Sequence, residues 1–583
     1  MREINIRELI DSRYPAFFKN KPVIFKKVLI ETFERILHIH EINRFLHTHP
    51  ESKDVEFIDD IFEYLNFSFR IANKDIKRIP SEGRLICVAN HPIGSLDSLS
   101  LIKAVSEIRS DVKIIANDIL LEIENIENLI LPFNLESGNA QRKNVRAIGE
   151  ALEKEQAVIM FPAAEVSRLK FLTVRDSKWH KGALYFSRKY NAPILPVYIN
   201  AKNSVFFYIF SVLHRRLSTA LLSHELFNKK NKTINITIGD PIPPQAFTST
   251  YINDKYQTKL LKKHVYLIAK SKSGIYKTEK NIIHPIDRKL IKRELNNAQL
   301  LGRTSDDKKI ILTDLHDSPN VLNEVARLRE VTFRKVGEGT GRKRDLDKYD
   351  KHYRHLIVWD ESELEVVGSY RIGLGKDILN KTGSDGFYTS TIFKYRENFV
   401  NKYLYDAIEL GRSFVQKKYW NTNALNYLWQ GIGAFLAHHE YVKYMFGGVS
   451  ISNSYHDSAK EMIVYYFKKW FGNHEDYVEA IKKFSIPLKS VEYYNTIFTG
   501  SNYKTDYRIL KNMMKPYGYS IPILYKHYSE LCYDGGVKFL DFAVDDDFES
   551  CIDGLILVDV NLIKDEKRDR YINAHKPDVL VSA

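Results

Sequence analysis

Cysteine is scarce in this chain: three residues in 583, Cys87, Cys532 and Cys551, far apart and with no CxxC pair. Their spacing argues against a disulfide framework and a thiolate zinc site, and fits a reducing cytosol. Long apolar runs are missing too, since none reaches the roughly 18 residues that a membrane-spanning helix needs. The nearest, Val205 to Leu213, is closed by Arg215-Arg216. The first residues, MREINIRELIDSRYP, carry charges throughout and no apolar core, so no secretory signal is expected. His38, His40, His47, His49 and the run His438-His439-Glu440 lack HExxH spacing, so no metal site is expected.

What is present is a globular composition, 44% apolar and 27% charged, at a length that implies about two to four domains. The net charge of +14 asks for an acidic partner, either nucleic acid or an anionic membrane. Residues 23–46 put Phe25, Val28, Leu29, Phe33, Ile36 and Leu37 on one helical face, with Lys26, Lys27 and Arg35 away from it. Together with the Arg-ended apolar segment at 205–216, this favours a lipid surface over nucleic acid.

A helical stretch is expected over 1–65, followed by alternating strands and helices to about residue 243. The strands are Arg84–Ala89, Val112–Ala116, Leu129–Phe133, Ala157–Phe161, Ala192–Ile199 and Ile234–Ile238, which is the pattern of α/β layers. Lysines crowd residues 255–280, and a polar segment, Asn296–Lys309, reads as a linker. Three parts follow: an extension at 1–65, an α/β domain at 66–300 and a second α/β domain at 305–583. In the last, Lys309–Thr313 is strand-like and Val321–Lys335 helical. His355–Asp360 with Val366–Arg371 forms a hairpin.

The stretch CVANHPIGSLDSLSL ends a buried strand on Asn90-His91-Pro92 and places Asp97 at the start of a helix. Strand ends are where α/β sheets present ligands. A histidine oriented by a carboxylate is a base suited to an alcohol. Further on come Phe161-Pro162-Ala163-Ala164-Glu165-Val166-Ser167-Arg168, then Lys181-Gly182-Ala183, Ala192-Pro193-Ile194-Leu195-Pro196-Val197, and Ile238-Gly239-Asp240-Pro241. In this order, over residues 65–245, the segments resemble the glycerolipid acyltransferase family of the lysophosphatidic acid acyltransferase type. Two departures stand out. Five residues separate His91 from Asp97 where the family has four, and Ala-Ala-Glu-Val-Ser-Arg replaces Glu-Gly-Thr-Arg-Ser. Both are features of a divergent branch, the hemolysin-named proteins and aminolipid O-acyltransferases. The resemblance implies that His91 takes the acceptor's hydroxyl proton and Asp97 orients its ring. It also implies that Glu165 and Arg168 bind an acceptor carrying a carboxylate in place of a phosphate.

The second half has its own series: Arg329 and Phe333, a glycine-rich basic turn at Gly337–Arg344, the triplet Asp345, Asp347 and Asp350, then Val367-Gly368-Ser369-Tyr370-Arg371 and Glu409-Leu410-Gly411-Arg412. Leu428-Trp429-Gln430-Gly431-Ile432 and Phe446-Gly447-Gly448 follow. The series resembles the acyl-homoserine-lactone synthases and ornithine N-acyltransferases, which have the N-acetyltransferase fold, with Phe414 shifted by one place. It implies Glu409 as the base that neutralises an amine, directly or through water. The three aspartates become a cation-binding lip, and Arg371 and Arg412 either bind the acceptor carboxylate or orient that lip. Arg342–Arg344 become a docking place for an acidic acyl carrier protein or the membrane.

Nearly the full length resembles the fused bifunctional ornithine-lipid synthases. The resemblance implies that the second half N-acylates an amino acid (ornithine, glycine or lysine) with a 3-hydroxyacyl thioester, and that the first half esterifies the new hydroxyl. No cofactor is expected beyond the co-substrate, acyl carrier protein or CoA thioester. The implied location is peripheral, on the cytoplasmic face of a bacterial inner membrane. The alternative is a lysophospholipid acyltransferase whose second half only binds.

Overall fold

The computed structural model describes residues 22–576 except 118–119, 122, 134–137, 171–172, 214–220, 249–251 and 474. Residues 1–21 of the expected extension and Arg215-Arg216 lie outside the described residues. The chain divides into two units, Met1–His284 and Pro285–Ala583.

In the first unit, strands β1 (Ser68–Ile71), β2 (Leu85–Ala89), β3 (Val112–Ala116), β4 (Ile130–Pro132) and β5 (Ala157–Met160) precede a small hairpin, β6 (Arg168–Lys170) and β7 (Thr173–Arg175). Then come β8 (Ile194–Asn200) and β9 (Thr233–Ile238). Seven of them form one sheet in the order β1-β9-β8-β2-β5-β3-β4, parallel except for the β8–β9 pair. Central β2 explains its own sequence. Leu85, Cys87 and Ala89 enter the core on one face and Ile86 and Val88 the core on the other. A strand covered on both faces has no reason to alternate with polar residues. The helix expected over 23–46 is two, Val23–Ile36 and Ile39–Thr48, which meet at His38, left-handed at φ 56°; the residues of the expected face from Phe25 to Ile36 all fall in the first. Among the described residues no helix is long and apolar enough to cross a membrane.

The second unit begins earlier than the expected boundary near 300–308. Helix Arg288–Asn296 packs on helix Pro319–Val336, where Glu294 accepts hydrogen bonds from Asn320 Nδ2 (2.6 Å) and Val321 N (2.9 Å). The segment Asn296–Lys309, which reads as a linker, contains an edge strand, β10 (Gln299–Arg303), antiparallel to β11 (Lys309–Thr313). The sheet continues through β12 (Arg354–Asp360) and β13 (Glu365–Leu374), while β14 (Phe393–Tyr395) lies apart from it. Next come β15 (Ala407–Val415) and β16 (Tyr444–Ile451). β17 (Val478–Ala480) pairs with β14, and β18 (Val537–Asp545) and β19 (Cys551–Asp559) complete the sheet. Its order is β10-β11-β12-β13-β15-β16-β19-β18. β15 and β16 are its parallel pair, joined only over Ala407–Glu409 and Tyr444–Phe446. Beyond that they part, β15 staying with β13 and β16 with β19. Gly447 stands at the fork, where a Cβ would lie 2.1 Å from the Leu410 carbonyl oxygen. Only glycine permits that approach.

Candidate active sites

In the first unit the histidine turn hangs from the end of β2. Asn90 ties it across to β8, its Nδ2 donating to Ile199 O (2.9 Å) and its Oδ1 accepting from Ile199 N (2.7 Å). Gly94 turns the chain at φ 98°, a region that disfavours a side chain, and opens helix Ser95–Ser106. Asp97, on the first turn of that helix, folds back: its Oδ2 accepts from Ile93 N (2.8 Å), Gly94 N (3.0 Å) and His91 Nδ1 (3.1 Å). The longer spacing therefore still lets Asp97 reach His91. An oxygen already accepting two amides faces the ring as an acceptor, so the proton sits on Nδ1 and Nε2 is the basic nitrogen. Burial, opposed by His91 and the two amides, raises the Asp97 carboxyl above the usual range. Phe161 stacks on the imidazole at 4.3 Å.

Arg168 and Glu165 face one another, Nε to Oε2 at 3.5 Å, on the loop beside this turn. A residue not read from the sequence joins that loop to the histidine. Buried Asp176 accepts from His91 N (3.3 Å) and Ser167 Oγ (2.5 Å) on Oδ1, and from Trp179 Nε1 (2.8 Å) on Oδ2. Ser167 N in turn donates to His91 O (2.7 Å).

The second unit corrects several expectations. Asp345 and Asp350 are buried, so the aspartates form no open cation-binding lip; they neutralise three arginines. Arg329 binds Asp350 (3.1 Å) and Asp345 (3.4 Å). Arg371 binds Asp347 (2.8 Å) and Asp350 (3.4 Å), and Arg412 binds Asp345 (3.2 Å) and Asp347 (3.7 Å). Three positive and three negative charges balance, which is how charge survives burial. The Arg329 and Arg371 guanidiniums, outweighing the cost of burial, hold Asp350 well below the usual carboxylate range. Arg371 and Arg412 are thus committed to aspartates before any substrate arrives.

Glu409, the base that the resemblance implies, has both its oxygens engaged. Its Oε2 accepts from Tyr353 Oη and Tyr388 N (3.0 Å), and its Oε1 from Thr389 N (2.7 Å) and Thr389 Oγ1 (2.5 Å). Four donors and full burial make it a clamp holding the turn Tyr388–Thr391 to β15.

Other carboxyls stand where the strands part. Asp553 on β19 lies opposite Ser450 on β16 and over Gly448. Glu338 follows left-handed Gly337 in the glycine-rich turn and pairs with Ser450. Asp545 accepts from Tyr388 Oη (2.8 Å). Arg412 connects them to the ion network, its guanidinium 4.4 Å from the Tyr388 ring and 4.7 Å from the Phe548 ring. Burial pushes Glu338 up to about 7 against the pull of Ser450 and Arg412. Burial, helped by the charges of Asp545 and Glu338, pushes Asp553 up to about 8. Strand register and a turn bring these three together; Glu338 lies within the glycine-rich turn and Asp553 in the C-terminal tail of the resemblance, but neither reads there as a reacting group.

Comparison with known proteins agrees with this division. The family described as "Acyltransferase" matches residues 15–274, and "Acetyltransferase (GNAT) domain" matches 328–430. The chain is 35% identical to the Glycine N(alpha)-acyltransferase of Bacteroides thetaiotaomicron, over 51% of this chain and 92% of that protein. It is 28% identical to the Lyso-glycine lipid O-acyltransferase of the same organism, over 42% of this chain and 90% of that protein. With the L-ornithine N(alpha)-acyltransferase of Rhizobium meliloti it shares 34% identity over 21% of this chain and 41% of that one. An N-terminal acyltransferase domain followed by a GNAT domain makes this chain an acyltransferase, and it belongs to the family of aminolipid acyltransferases that these relatives represent.

Proposed function

We propose that the chain builds a two-chain aminolipid in two steps. The second unit transfers a 3-hydroxyacyl group from a thioester to the nitrogen of an amino acid, glycine first among the candidates. The first unit then esterifies the 3-hydroxyl of that product. One observation carries the reading: two separate proteins of one bacterium, named for N-acylation of glycine and O-acylation of lyso-glycine lipid, are each covered almost whole by this chain.

In O-acylation, His91 Nε2 takes the hydroxyl proton as the oxygen attacks the thioester carbonyl. The C–S bond breaks, and the imidazolium returns the proton to the departing thiolate. Asp97 holds the tautomer and steadies the imidazolium. In N-acylation the ammonium must lose a proton before it attacks. The carboxyls of Glu338 and Asp553 replace Glu409 as the acceptor, since a base poised near neutrality serves best. The amine then attacks the thioester carbonyl, the C–S bond breaks, and the thiolate leaves as the thiol with a proton returned from the carboxyl. The fork between β15 and β16 supplies unpaired strand edges for the thioester's amide groups. Exposed Arg342 and Lys343, on the turn that carries Glu338, suit an acidic carrier protein as acyl donor. The product is an amphiphile, so the chain works peripherally at the cytoplasmic face of the membrane.

The test is expression in a host without aminolipids, followed by mass spectrometry of the lipid extract. A diacylated amino acid, reduced to the mono-N-acyl form by His91→Ala, is expected. Accumulation of phosphatidic acid instead would show a lysophospholipid acyltransferase.

A further inference from the structure

Helix Val205–Leu213 of the first unit has two unlike sides. Phe207 and Tyr208 are buried with Val166 and Leu221. Val205, Phe206 and Ile209 turn outward, 75%, 51% and 54% exposed, and Leu169 on the adjoining hairpin β6–β7 is 37% exposed. Isolated exposed apolar residues are ordinary, but three on one short helix beside a fourth are not. The helix is fixed at its start. Buried Glu225 accepts from Ser204 N (2.8 Å) and Ser204 Oγ (2.5 Å), and Ser204 Oγ accepts from Phe207 N (3.1 Å).

The surroundings are basic. The adjoining hairpin β6–β7 carries Arg168, Lys170 and Arg175, and Lys202 stands just before the helix, against the carboxylates Glu165 and Asp176. Glu165 is paired with Arg168 and Asp176 is buried, whereas Arg175, Lys178 and Lys202 are exposed. An apolar face with a cationic rim matches the interface of an anionic bilayer.

We infer that Val205, Phe206 and Ile209 form the face by which the O-acyl unit lies on an anionic lipid bilayer, so that the acceptor hydroxyl reaches His91 from the lipid phase. The inner side of the same helix packs on Val166, and the next residue, Ser167, donates its backbone N–H to His91 O at 2.7 Å. Leu222, packed with the same cluster, stands 3.4 Å from where a Cβ on Gly94 would lie. The lipid-facing helix and the histidine turn therefore share one packed cluster. The delivery of the acceptor rests on the proposed O-acylation; the bilayer contact does not.

The test uses the full chain with Ile209→Cys carrying a polarity-sensitive fluorophore. The three native cysteines are buried, so the label goes to position 209. With vesicles of phosphatidylcholine and about a third phosphatidylglycerol, the emission shifts to the blue and the protein sediments with the vesicles. Binding weakens roughly tenfold or more in pure phosphatidylcholine or at high salt. An unshifted emission overturns the inference. So does a shift produced, without vesicles, by raising the protein concentration or by adding acyl carrier protein, because a second copy or a protein then covers the helix. In a second arm, Val205→Glu/Phe206→Glu/Ile209→Glu loses vesicle binding and, on vesicle-borne acceptor, about tenfold or more of its rate. It keeps the wild-type rate on a soluble short-chain N-acyl amino acid. Unchanged vesicle binding by this variant refutes the surface. Vesicle binding without O-acylation of either acceptor refutes the proposed function and leaves the surface standing.

Discussion

The two units use the charged residues of their motifs in opposite ways. In the first, His91 and Asp97 are held by short local bonds and the imidazole stays partly open to the site. In the second, Arg329, Arg371, Arg412 and the three aspartates close on one another in the interior. On the proposed reading, proton transfer there falls to Glu338, inside the glycine-rich turn, and to Asp553, neither of them a charge that the series singles out. A motif can therefore mark either the reacting groups or the frame that holds them, and burial with completed pairing tells the two apart.

The strongest way to break this comparison is at His91. His91→Ala should lower O-acylation about a thousandfold, the scale of a general base, and leave the N-acyl intermediate to accumulate in the lipid extract. Diacylated lipid at wild-type levels would remove His91 from the chemistry. Next comes a paired test in the second unit. Glu338→Gln should cut N-acylation about a hundredfold with an unchanged melting temperature. In the wild type the rate should rise as pH passes through about 7, where the carboxyl becomes the base. Glu409→Gln should instead cost about 2–4 kcal/mol of stability, because the amide turns a donor toward donors. If Glu409→Gln leaves melting unchanged and abolishes turnover, the roles are reversed.

A smaller effect is expected at Asp176, which acts through the histidine turn. In Asp176→Asn the amide NH2 must face either the Trp179 indole N–H or the pair His91 N and Ser167 Oγ, donor against donor either way. The O-acylation rate constant should fall about 10- to 100-fold, by misplacement of the base, with little change in KM for the acyl donor. Adding Trp179→Phe removes one of the clashing donors and should restore part of the rate. A defect confined to KM would place Asp176 with substrate binding instead.

The legibility of the chain follows from sequence distance. The His91–Asp97 pair spans one turn and a helix start, so a local stretch contained it. Buried β2 was plain from its unbroken apolar run. Ser450 facing Asp553, by contrast, depends on the register of β16 against β19, and nothing near either residue announces it. Glu338 sits in a turn whose glycines and arginines read as a docking loop. The edge strand β10 reads as linker because an exposed edge needs few apolar residues, and QLLGR has only Leu301 buried. The break at His38 has neither proline nor glycine to signal it. The motif arginines and aspartates were visible as charges, but their mutual pairing needs the fold.

The smallest predicted effect separates a frame carboxylate from a reactive one by the sign of its pH dependence. Asp553 is pushed up to about 8 in the folded chain, against about 4 when unfolded. Between those values the unfolded chain has released a proton that the folded chain still holds. Asp553 thus contributes stability that is complete below about pH 4 and is lost as pH rises through about 8. Asp553→Asn removes that loss. It should melt like the wild type at pH 4 and about 2–4 °C higher at pH 9, while N-acylation at pH 9 falls with the loss of a proton acceptor. Asp350 has the reverse sign. Its carboxyl is held low by Arg329 and Arg371, so its stabilisation is present above about pH 4 and disappears only in strong acid. Asp350→Asn should therefore lower melting at pH 7 and pH 9 alike, by the cost of leaving buried arginines unpaired. If both substitutions moved stability in the same direction at pH 9, the division between frame and reactive carboxyls in the second unit would be wrong.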